Sequence, residues 1–390
     1  MKEYDVVFVG AGLTNATIAQ RIAAHIGGLN MLVIDRRCEI GGNCHTDNVN
    51  GIDVHKYGAH IFHTSDADLV EFMKQFGTWH DYVNQPIAIS RDYFGSRHAY
   101  NMPFNMNTFA QLFPGCVTPE DASRRISMEI SAAHIAEPRN LEEQAISMVG
   151  TTIYETLIKG YTEKQWGRPC TELPSDIIKR LPVRFTYDNN YFNDTYQMIP
   201  DDGYTSIISN MFRNLQNDCH ATFAFVDYTD AVVEGLHAKH VFYSGGIDEL
   251  YDYRLGVLEY RSVRFDMHRF DTPNVQGCAV CNYTSVDVPY TRSIEHKWFA
   301  PKVPTKSSIV SYEYSNEWKP GIDPYYPICD AKNNALYGKY VDMHNELNME
   351  AETKIWPVGR LGTYKYLDMD DSIAAAMKVA SEWITKYKNV

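Results

Sequence analysis

Residues 4–22 read YDVVFVGAGLTNATIAQRI, and residues 31–37 read MLVIDRR. The short β-branched run over 5–9 predicts a buried parallel strand. The turn Gly10-Ala11-Gly12 follows, and small or apolar residues then recur at helical spacing up to Ile26. A second strand is predicted over 31–34, and it ends at Asp35. Strand, glycine turn, helix and acidic strand end, in this order, predict a βαβ unit that binds a dinucleotide.

The residue types of this unit suit that ligand. The glycines let backbone approach a pyrophosphate, and the helix N-terminus offers N–H groups and a positive dipole end. We expect Asp35 to accept hydrogen bonds from an adenosine ribose. Gly41-Gly42-Asn43 favours a flavin nucleotide over NAD, because a flavin nucleotide needs more backbone contacts. Asn15 replaces the usual third glycine, and an ordinary α/β unit with a tight turn is the alternative interpretation.

Composition narrows the class of protein. The chain has 390 residues, enough for about two or three domains, and a net charge of −13. The negative charge argues against nucleic acid or an anionic membrane as a partner. No signal peptide precedes the first strand and no apolar run reaches membrane-spanning length, so we expect a cytoplasmic protein. The eight cysteines are scattered, and neither they nor His60 and His63 predict a metal site.

The order of patterns predicts an α/β fold with three parts. A discontinuous Rossmann-like cofactor-binding domain is expected over 1–80, 205–250 and 335–390. A helical insert is expected over 103–168, where apolar residues at helical spacing predict one continuous helix over 141–159. An antiparallel β-sheet domain is expected over 81–102, 169–204 and 251–334, because alternating segments there are typical of such strands.

Longer motifs resemble one known family. They are HKYGAHIFHT (55–64), NMPFNMNTF (101–109), YTEKQWGRP (161–169), RLPVRFTYDNNYF (180–192), VPYTRSIEHK (288–297) and GRLGTYKYLDMD (359–370). In their order along the chain they closely resemble bacterial UDP-galactopyranose mutases. The resemblance implies a flavin-dependent isomerase that interconverts UDP-galactopyranose and UDP-galactofuranose through an adduct between N5 of reduced FAD and the sugar.

The resemblance also implies which residues act on the substrate. Arg180 and Arg292 match the two arginines that contact the UDP pyrophosphate, where fixed guanidinium groups stabilise the leaving group's charge. His60 and His63 join them as catalytic candidates near the cofactor. Tyr161 matches the residue that stacks on uracil, and the remaining candidates for substrate binding are Thr162, Trp166, Tyr191, Asn282, Tyr326 and Tyr366. We expect Glu163 and Lys164, inside the same motif, to be solvated surface charges.

The expected cofactor is non-covalent FAD, active when reduced. Arg360, Asp368 and Met369 match flavin contacts of the family. With the residues of the βαβ unit, the full set of expected cofactor ligands is Gly10, Gly12, Leu13, Thr14, Asp35, Arg36, Gly42, Asn43, His60, Gly359, Arg360, Tyr366, Asp368 and Met369.

Two other classes of function remain open at this point. A flavin amine oxidase or dehydrogenase shares this type of fold but needs no phosphate-binding arginines. A protein-binding relative that has lost its flavin is the second alternative, and Asn15 is the feature that favours it. The family implies a homodimer, and the sequence does not distinguish UDP-galactose from its N-acetylated analogue as the sugar substrate.

Overall fold

The β-branched run at the start of the chain forms the centre of a parallel sheet. The computed structural model describes residues 3–91, 95–178, 183–300 and 305–388. Its α-helices, in chain order, are α1 Leu13–Ala23, α2 Ala67–Lys74, α3 Met106–Leu112, α4 Pro119–Ala133, α5 Leu141–Ile153, α6 Lys159–Trp166, α7 Gly203–Arg213, α8 Tyr228–Val233, α9 Ile247–Leu250, α10 Ala331–Glu350, α11 Gly359–Gly362 and α12 Met369–Lys388. Its β-strands are β1 Glu3–Val9, β2 Asn30–Ile34, β3 Thr46–Val49, β4 Ile52–His55, β5 Phe62–Thr64, β6 Trp79–Asp81, β7 Ile87–Arg91, β8 Arg97–Asn101, β9 Tyr196–Pro200, β10 His220–Ala224, β11 His237–Tyr243, β12 Tyr260–Phe270, β13 Val280–Tyr283, β14 Arg292–Glu295, β15 Ser308–Glu317, β16 Tyr326–Pro327 and β17 Lys354–Pro357.

The parallel sheet assembles strands from three distant stretches of the chain. Its order is β10-β2-β1-β11-β17, and each neighbouring pair is parallel. All five strands fall within the three pieces expected for the cofactor-binding domain. Helices α1, α7 and α12 cover one face, where Phe8, Phe242 and Trp383 are buried in one apolar cluster. Because both faces of β1 are buried, it reads as an uninterrupted apolar run.

Asn15 occupies the position where a glycine is usual, and its side chain connects α1 to the end of β1 by hydrogen bonds. Its side chain is 1% exposed, and Nδ2 donates to the carbonyl oxygens of Val9 and Gly10, both at 2.9 Å. These two carbonyls lie where β1 ends and the turn begins. Asn15 therefore provides a donor for the Gly10 carbonyl, whereas the Val9 carbonyl also accepts from the N–H and the hydroxyl of Ser244, at 3.0 and 2.7 Å.

The second sheet has seven strands in the order β16-β12-β15-β14-β13-β7-β8. Neighbours are antiparallel except β13 and β7, which run parallel. The expected antiparallel sheet is thus present, with one parallel pair, because the chain leaves β7–β8 for the helical insert and returns much later. In the register of β14 and β15, Arg292 lies directly opposite Glu313.

The helical insert is interrupted where the sequence predicts one continuous helix over 141–159. Gly150 has φ 81° and ψ 170°, and a π-helical turn follows over Tyr154–Ile158. The Glu129 carboxylate reaches the break, where it accepts hydrogen bonds from the backbone N–H and the hydroxyl of Thr152 at 2.8 and 2.7 Å. Apolar spacing continues across the break, so periodicity alone does not reveal it.

Helix α10 was not predicted from the sequence. Among its twenty residues only Asn333, Tyr340 and His344 are buried, while Leu336, Tyr337, Val341 and Met343 are partly buried against the apolar cluster that contains Tyr340. Polar contacts add to this packing: the Tyr340 hydroxyl donates to the carbonyl oxygen of Gly256 at 2.7 Å. No helix in the described ranges is both long enough and apolar enough to span a membrane.

We predict that Asn15→Ala lowers the free energy of unfolding by about 1–3 kcal/mol, because the Gly10 carbonyl loses its donor and a buried, hydrogen-bonded side chain is removed. Urea unfolding followed by circular dichroism measures the change. Asn334→Ala is the matched control, because the Asn334 amide also donates to a carbonyl but is exposed. The control should cost less than about 0.5 kcal/mol. Equal, small losses in both variants would contradict the role of Asn15.

Candidate active site

A cavity of about 470 Å³ opens at the carboxyl ends of the parallel strands, where sheets of this kind bind ligands. Thirteen of the fourteen residues expected to bind the cofactor line it: Gly10, Gly12, Leu13, Thr14, Asp35, Arg36, Gly42, Asn43, His60, Gly359, Arg360, Asp368 and Met369. Tyr366 does not line this cavity and is 54% exposed. The structure thus gathers at one place residues from both ends of the chain.

Two glycines line the cavity close together, next to the N-terminus of α1. Gly12 precedes α1 as its N-cap and provides no side chain to cap the helix, so the first amide groups of α1 face the cavity uncapped. Gly42 has φ +56°, and a Cβ atom there would lie 3.1 Å from the Cα atom of Gly12. Side chains at these positions would fill the space that a pyrophosphate needs beside the helix N-terminus.

Asp35 is fixed at the wall of the cavity. Its carboxylate accepts hydrogen bonds from the backbone N–H groups of Ala11 and Arg37, both at 2.8 Å. Burial raises the pKa of Asp35, and these two N–H groups oppose that rise. Arg36 pairs with Glu249 at 2.8 Å, so its charge is already compensated by the protein.

His60 lies at the far end of the cavity as a neutral imidazole. Its Nδ1–H donates to the carbonyl oxygen of Gly58 at 2.7 Å. Burial lowers the pKa of His60 to about 4, and although Gly58 opposes the change, the positive charges of Arg360 and Arg292 add to it. At neutral pH this side chain therefore adds no charge beside the two arginines.

His63 occupies a different place from His60. Its Nδ1–H donates to Asp194 at 2.8 Å, and its ring stacks on Phe192 with the ring centroids 3.7 Å apart. It does not line the cavity. The structure therefore holds His63 by a hydrogen bond and a stacked ring outside the residues that line the cavity, and its predicted catalytic role stays a prediction.

A second group of side chains, which we call the aromatic pocket, adjoins the cavity. It consists of Tyr161, Trp166, Tyr191, Tyr326 and Tyr366 around Arg292. Tyr326 contacts Trp166 and Tyr366, with ring centroids 5.6 and 6.0 Å apart. Arg292 acts electrostatically on Tyr161 and Tyr191, where burial raises the pKa of each phenol and the guanidinium opposes it.

The cavity and the aromatic pocket share a boundary. Arg360, which lines the cavity, holds its guanidinium 5.0 Å from the ring centroid of Tyr366 in the pocket. Tyr325 also lines the cavity, and its ring contacts Tyr326 at a centroid distance of 5.7 Å. A ligand in the pocket can therefore contact a ligand in the cavity at this boundary.

Arg292 provides the positive charge of the aromatic pocket. Its Nε lies 3.0 Å from Oε1 of Glu313, with 28% of the arginine side chain and 10% of the glutamate side chain exposed. Burial lowers the pKa of Arg292, but the charge of Glu313 raises it well above its ordinary value. Within the described residues no acceptor forms a hydrogen bond with the guanidinium group, so its planar edge is available for a phosphate.

The remaining candidates for substrate binding are less closely tied to the pocket. Asn282 lies opposite Arg292 in the β13–β14 register, and Thr162 is buried on α6 beside Tyr161. Arg180 lies outside the described residues, so its role stays a prediction from the sequence.

Sequence reasoning missed Glu313 and Tyr325. One signal for Glu313 was present, because it is the single charged residue over 308–316, in an otherwise uncharged strand. Tyr325 had no such signal among 27 tyrosines. Both side chains reach the site only through the pairing of strands distant in sequence.

Comparisons with known proteins agree with this geometry. A family model described as NAD(P)-binding Rossmann-like domain matches residues 9–76. A second, described as UDP-galactopyranose mutase, matches residues 156–366, more than half of the chain. The chain belongs to the UDP-galactopyranose mutase family. It is therefore an enzyme, and the family resemblance seen in the sequence is confirmed.

Relatives in the family match along their full length. A probable UDP-galactopyranose mutase of Klebsiella pneumoniae is 39% identical, covering 100% of this chain and 97% of the relative. A dTDP-fucopyranose mutase of Escherichia coli is 38% identical, covering 98% and 99%. A UDP-galactopyranose mutase of Mycoplasma pneumoniae is 26% identical, covering 97% and 96%. Family members that resemble this chain equally well thus carry two different substrate names.

Solved structures share the fold. A reduced UDP-galactopyranose mutase has a TM-score of 0.76 at 16% identity, covering 99% of this chain and 94% of the other. A putative protoporphyrinogen oxidase from an Exiguobacterium species has a TM-score of 0.67 at 12% identity, covering 99% and 100%. Mutases and oxidases share this architecture, so the fold alone does not select the reaction.

We predict that Gly42→Ala lowers the fraction of purified protein that carries flavin. The new Cβ would press on Gly12, and a positive φ at a non-glycine residue costs about 1–3 kcal/mol. The ratio of flavin absorbance to protein absorbance measures the loss. Gly51→Ala is the control, because Gly51 has φ +81° but open space around its Cβ position. Full flavin content in Gly42→Ala would contradict the close approach of a cofactor to this backbone.

Proposed function

We propose that this enzyme interconverts UDP-galactopyranose and UDP-galactofuranose, with non-covalently bound FAD that must be reduced for activity. One observation carries the proposal: the dinucleotide cavity borders an aromatic pocket that contains Arg292, and among the described residues Glu313 approaches only Nε while no acceptor forms a hydrogen bond with the terminal nitrogen atoms. An oxidase acting on amines has no need for such a phosphate-binding cation. Family membership supports the same reaction class.

The residues that line the cavity would suit FAD. Asp35 would bind the adenosine ribose, and the N-terminus of α1 between Gly12 and Gly42 would accept the pyrophosphate. His60 and Arg360 would flank the flavin ring at the boundary with the aromatic pocket. When bound and reduced, FAD supplies a nucleophilic nitrogen, N5, for the anomeric carbon of the sugar.

Arg292 would bind the diphosphate of the nucleotide sugar. Negative charge grows on the diphosphate as the bond to the anomeric carbon breaks, and a fixed guanidinium stabilises that charge more strongly than the ground state. Glu313 lies on the Nε side of the group, which would leave the terminal nitrogen atoms free to bind the diphosphate. The arginine is thus positioned before the substrate arrives.

The aromatic residues would give the nucleotide and sugar their orientation. Tyr161 would stack on the base, while Tyr191, Tyr326 and Tyr366 offer hydroxyl groups to phosphate oxygens. Trp166 packs on Tyr326 and would cover the sugar from the side of α6. Such a pocket excludes water from a reaction in which hydrolysis of the sugar would compete.

A second candidate substrate is dTDP-fucopyranose. The E. coli relative with that name is 38% identical over 98% of this chain, against 39% for the K. pneumoniae relative. Both substrates have a nucleoside diphosphate leaving group and need the same arginine.

We also propose that the enzyme acts in the cytoplasm as a homodimer.

The direct test is product analysis with anaerobic, dithionite-reduced protein. UDP-galactofuranose, its N-acetylated analogue and dTDP-fucofuranose are supplied separately, and chromatography follows the products. We expect UDP-galactopyranose to form fastest, with no net oxidation of flavin and no turnover by oxidised protein. FAD should be released by denaturation. Faster turnover of the dTDP sugar would favour the second candidate, and flavin oxidation in step with product would overturn the isomerase.

We predict that Arg292→Ala lowers kcat by about 10²- to 10³-fold, the effect of removing one preorganised donor to a developing charge. Arg292→Lys should recover part of the rate, because it restores the charge but not the planar pair of donors. Arg269→Ala serves as the control, since Arg269 is exposed at the end of β12 and pairs only with Asp271 among the described residues. Near wild-type turnover in Arg292→Ala would rule out its role.

A further inference from the structure

Lys164 is not the solvated charge that the sequence predicts. Its side chain points from α6 into the loop that joins β13 to β14, residues 284–291, which we call the β13–β14 loop. There Nζ lies within hydrogen-bond distance of four backbone carbonyl oxygens, those of Tyr283, Ser285, Val288 and Tyr290, at 2.7, 2.9, 2.9 and 3.1 Å, and it shares its three N–H groups among them. The Ser285 carbonyl also accepts from the N–H of Val288 at 3.4 Å, so the ammonium group adds a charged donor to a turn that closes on itself.

The β13–β14 loop connects two residues expected to contact the substrate. Asn282 on β13 and Arg292 on β14 lie opposite each other at its base. Thr291, the last residue of the loop, donates through Oγ1 to Oε1 of Glu313 at 3.0 Å, and the same oxygen lies 3.0 Å from Nε of Arg292. The path of the loop therefore sets where the guanidinium group points.

The helix on the other side of this contact carries the aromatic residues. Tyr161 and Trp166 belong to α6, three residues before and two residues after Lys164. Lys164 thus links the element that holds the base-stacking and sugar-covering side chains to the element that holds the diphosphate-binding arginine.

Further contacts near Lys164 hold α6 and the β13–β14 loop close together. A Cβ atom on Gly160 would lie 2.2 Å from the carbonyl oxygen of Thr284. The hydroxyl groups of Thr284 and Ser90 both donate to the carbonyl oxygen of Thr156, in the π-helical turn, at 2.8 and 2.9 Å. π-Helical turns are frequent at functional sites. These neutral contacts join the same surfaces, and Lys164 adds the charged one.

We propose that Lys164 is a positioning residue for the isomerase reaction: its ammonium group fixes the β13–β14 loop against α6 and so sets the distance between Arg292 and the aromatic side chains. The inference rests on the proposed function, because it assumes that a nucleotide sugar spans these two elements. A methionine at 164 would match the length of the side chain but would remove the shared charged donor from the carbonyl oxygens of Tyr283, Val288 and Tyr290, and Ser285 would keep only the N–H of Val288. The loop would then shift, and Arg292 would shift with it.

The test compares Lys164→Met, Lys164→Arg and Lys159→Met in the reduced holoenzyme. Lys159 lies on the same helix but pairs with Glu155 at the surface. We expect Lys164→Met to lower kcat/KM per bound flavin by about 10²-fold, the effect of misplacing substrate-binding groups by about an ångström. It should also weaken UDP binding, measured by quenching of flavin fluorescence. Lys164→Arg should have a kcat/KM at least tenfold above that of Lys164→Met, because it keeps a cation with several donors. Lys159→Met should match the wild type.

Normalising to bound flavin separates positioning from stability, because a merely unstable variant loses flavin but keeps its turnover per flavin. Wild-type kcat/KM in Lys164→Met, or an arginine variant as impaired as the methionine variant, would overturn the inference while the proposed function stands. Failure of the wild type to bind UDP would instead defeat the proposed function. If Lys164→Met yields no holoenzyme, hydrogen exchange of the wild type decides: UDP should protect α6 and the β13–β14 loop equally, and protection of only one would overturn the inference.

Discussion

The pairing of Arg292 with Glu313 is the interaction on which the site depends. A partly buried guanidinium loses much of its hydration, and it remains charged there because a carboxylate lies directly opposite it in the β14–β15 register. Glu313 occupies only the Nε side, which leaves the rest of the group for a diphosphate. Thr291 holds the same carboxylate oxygen, and Lys164 holds the loop that contains Thr291. The local architecture thus keeps one cation charged, oriented and accessible.

The proposed reaction requires this cation to lie beside a cofactor that a different sheet would bind. The parallel sheet supplies the cavity from three distant stretches of chain, and the second sheet supplies Arg292. The contact of Arg360 with Tyr366, and of Tyr325 with Tyr326, forms the boundary between them. An oxidase of the same fold has the cavity but not the need for the cation, so the pocket distinguishes the functions that the fold leaves open.

Local patterns in the sequence predicted the parts of the molecule that local physics determines. The βαβ unit follows from β-branched residues, glycines and Asp35 within a few dozen positions, and the residues expected to bind the cofactor lie around one cavity, several of them just after neighbouring strands. Helix α10 has only a few partly buried apolar residues among many exposed polar ones, and the break at Gly150 depends on Glu129 from another helix, so neither has a clear periodic signal. The roles of Lys164 and Glu313 were not predicted for a related reason. The partners of Lys164 are backbone carbonyl groups more than a hundred residues away, and the partner of Glu313 lies on the neighbouring strand. A charged residue type alone suggests exposure to solvent.

The central claim is that the Arg292 guanidinium receives the diphosphate of a nucleotide sugar whose sugar ring faces the flavin. A crystal structure of the reduced holoenzyme with bound UDP-galactopyranose tests it most directly. The account predicts diphosphate oxygens within hydrogen-bond distance of the Arg292 terminal nitrogen atoms, and the galactose ring between them and the flavin, next to His60 and Arg360. A diphosphate bound elsewhere, with the aromatic pocket empty and the sugar remote from the flavin, would contradict it.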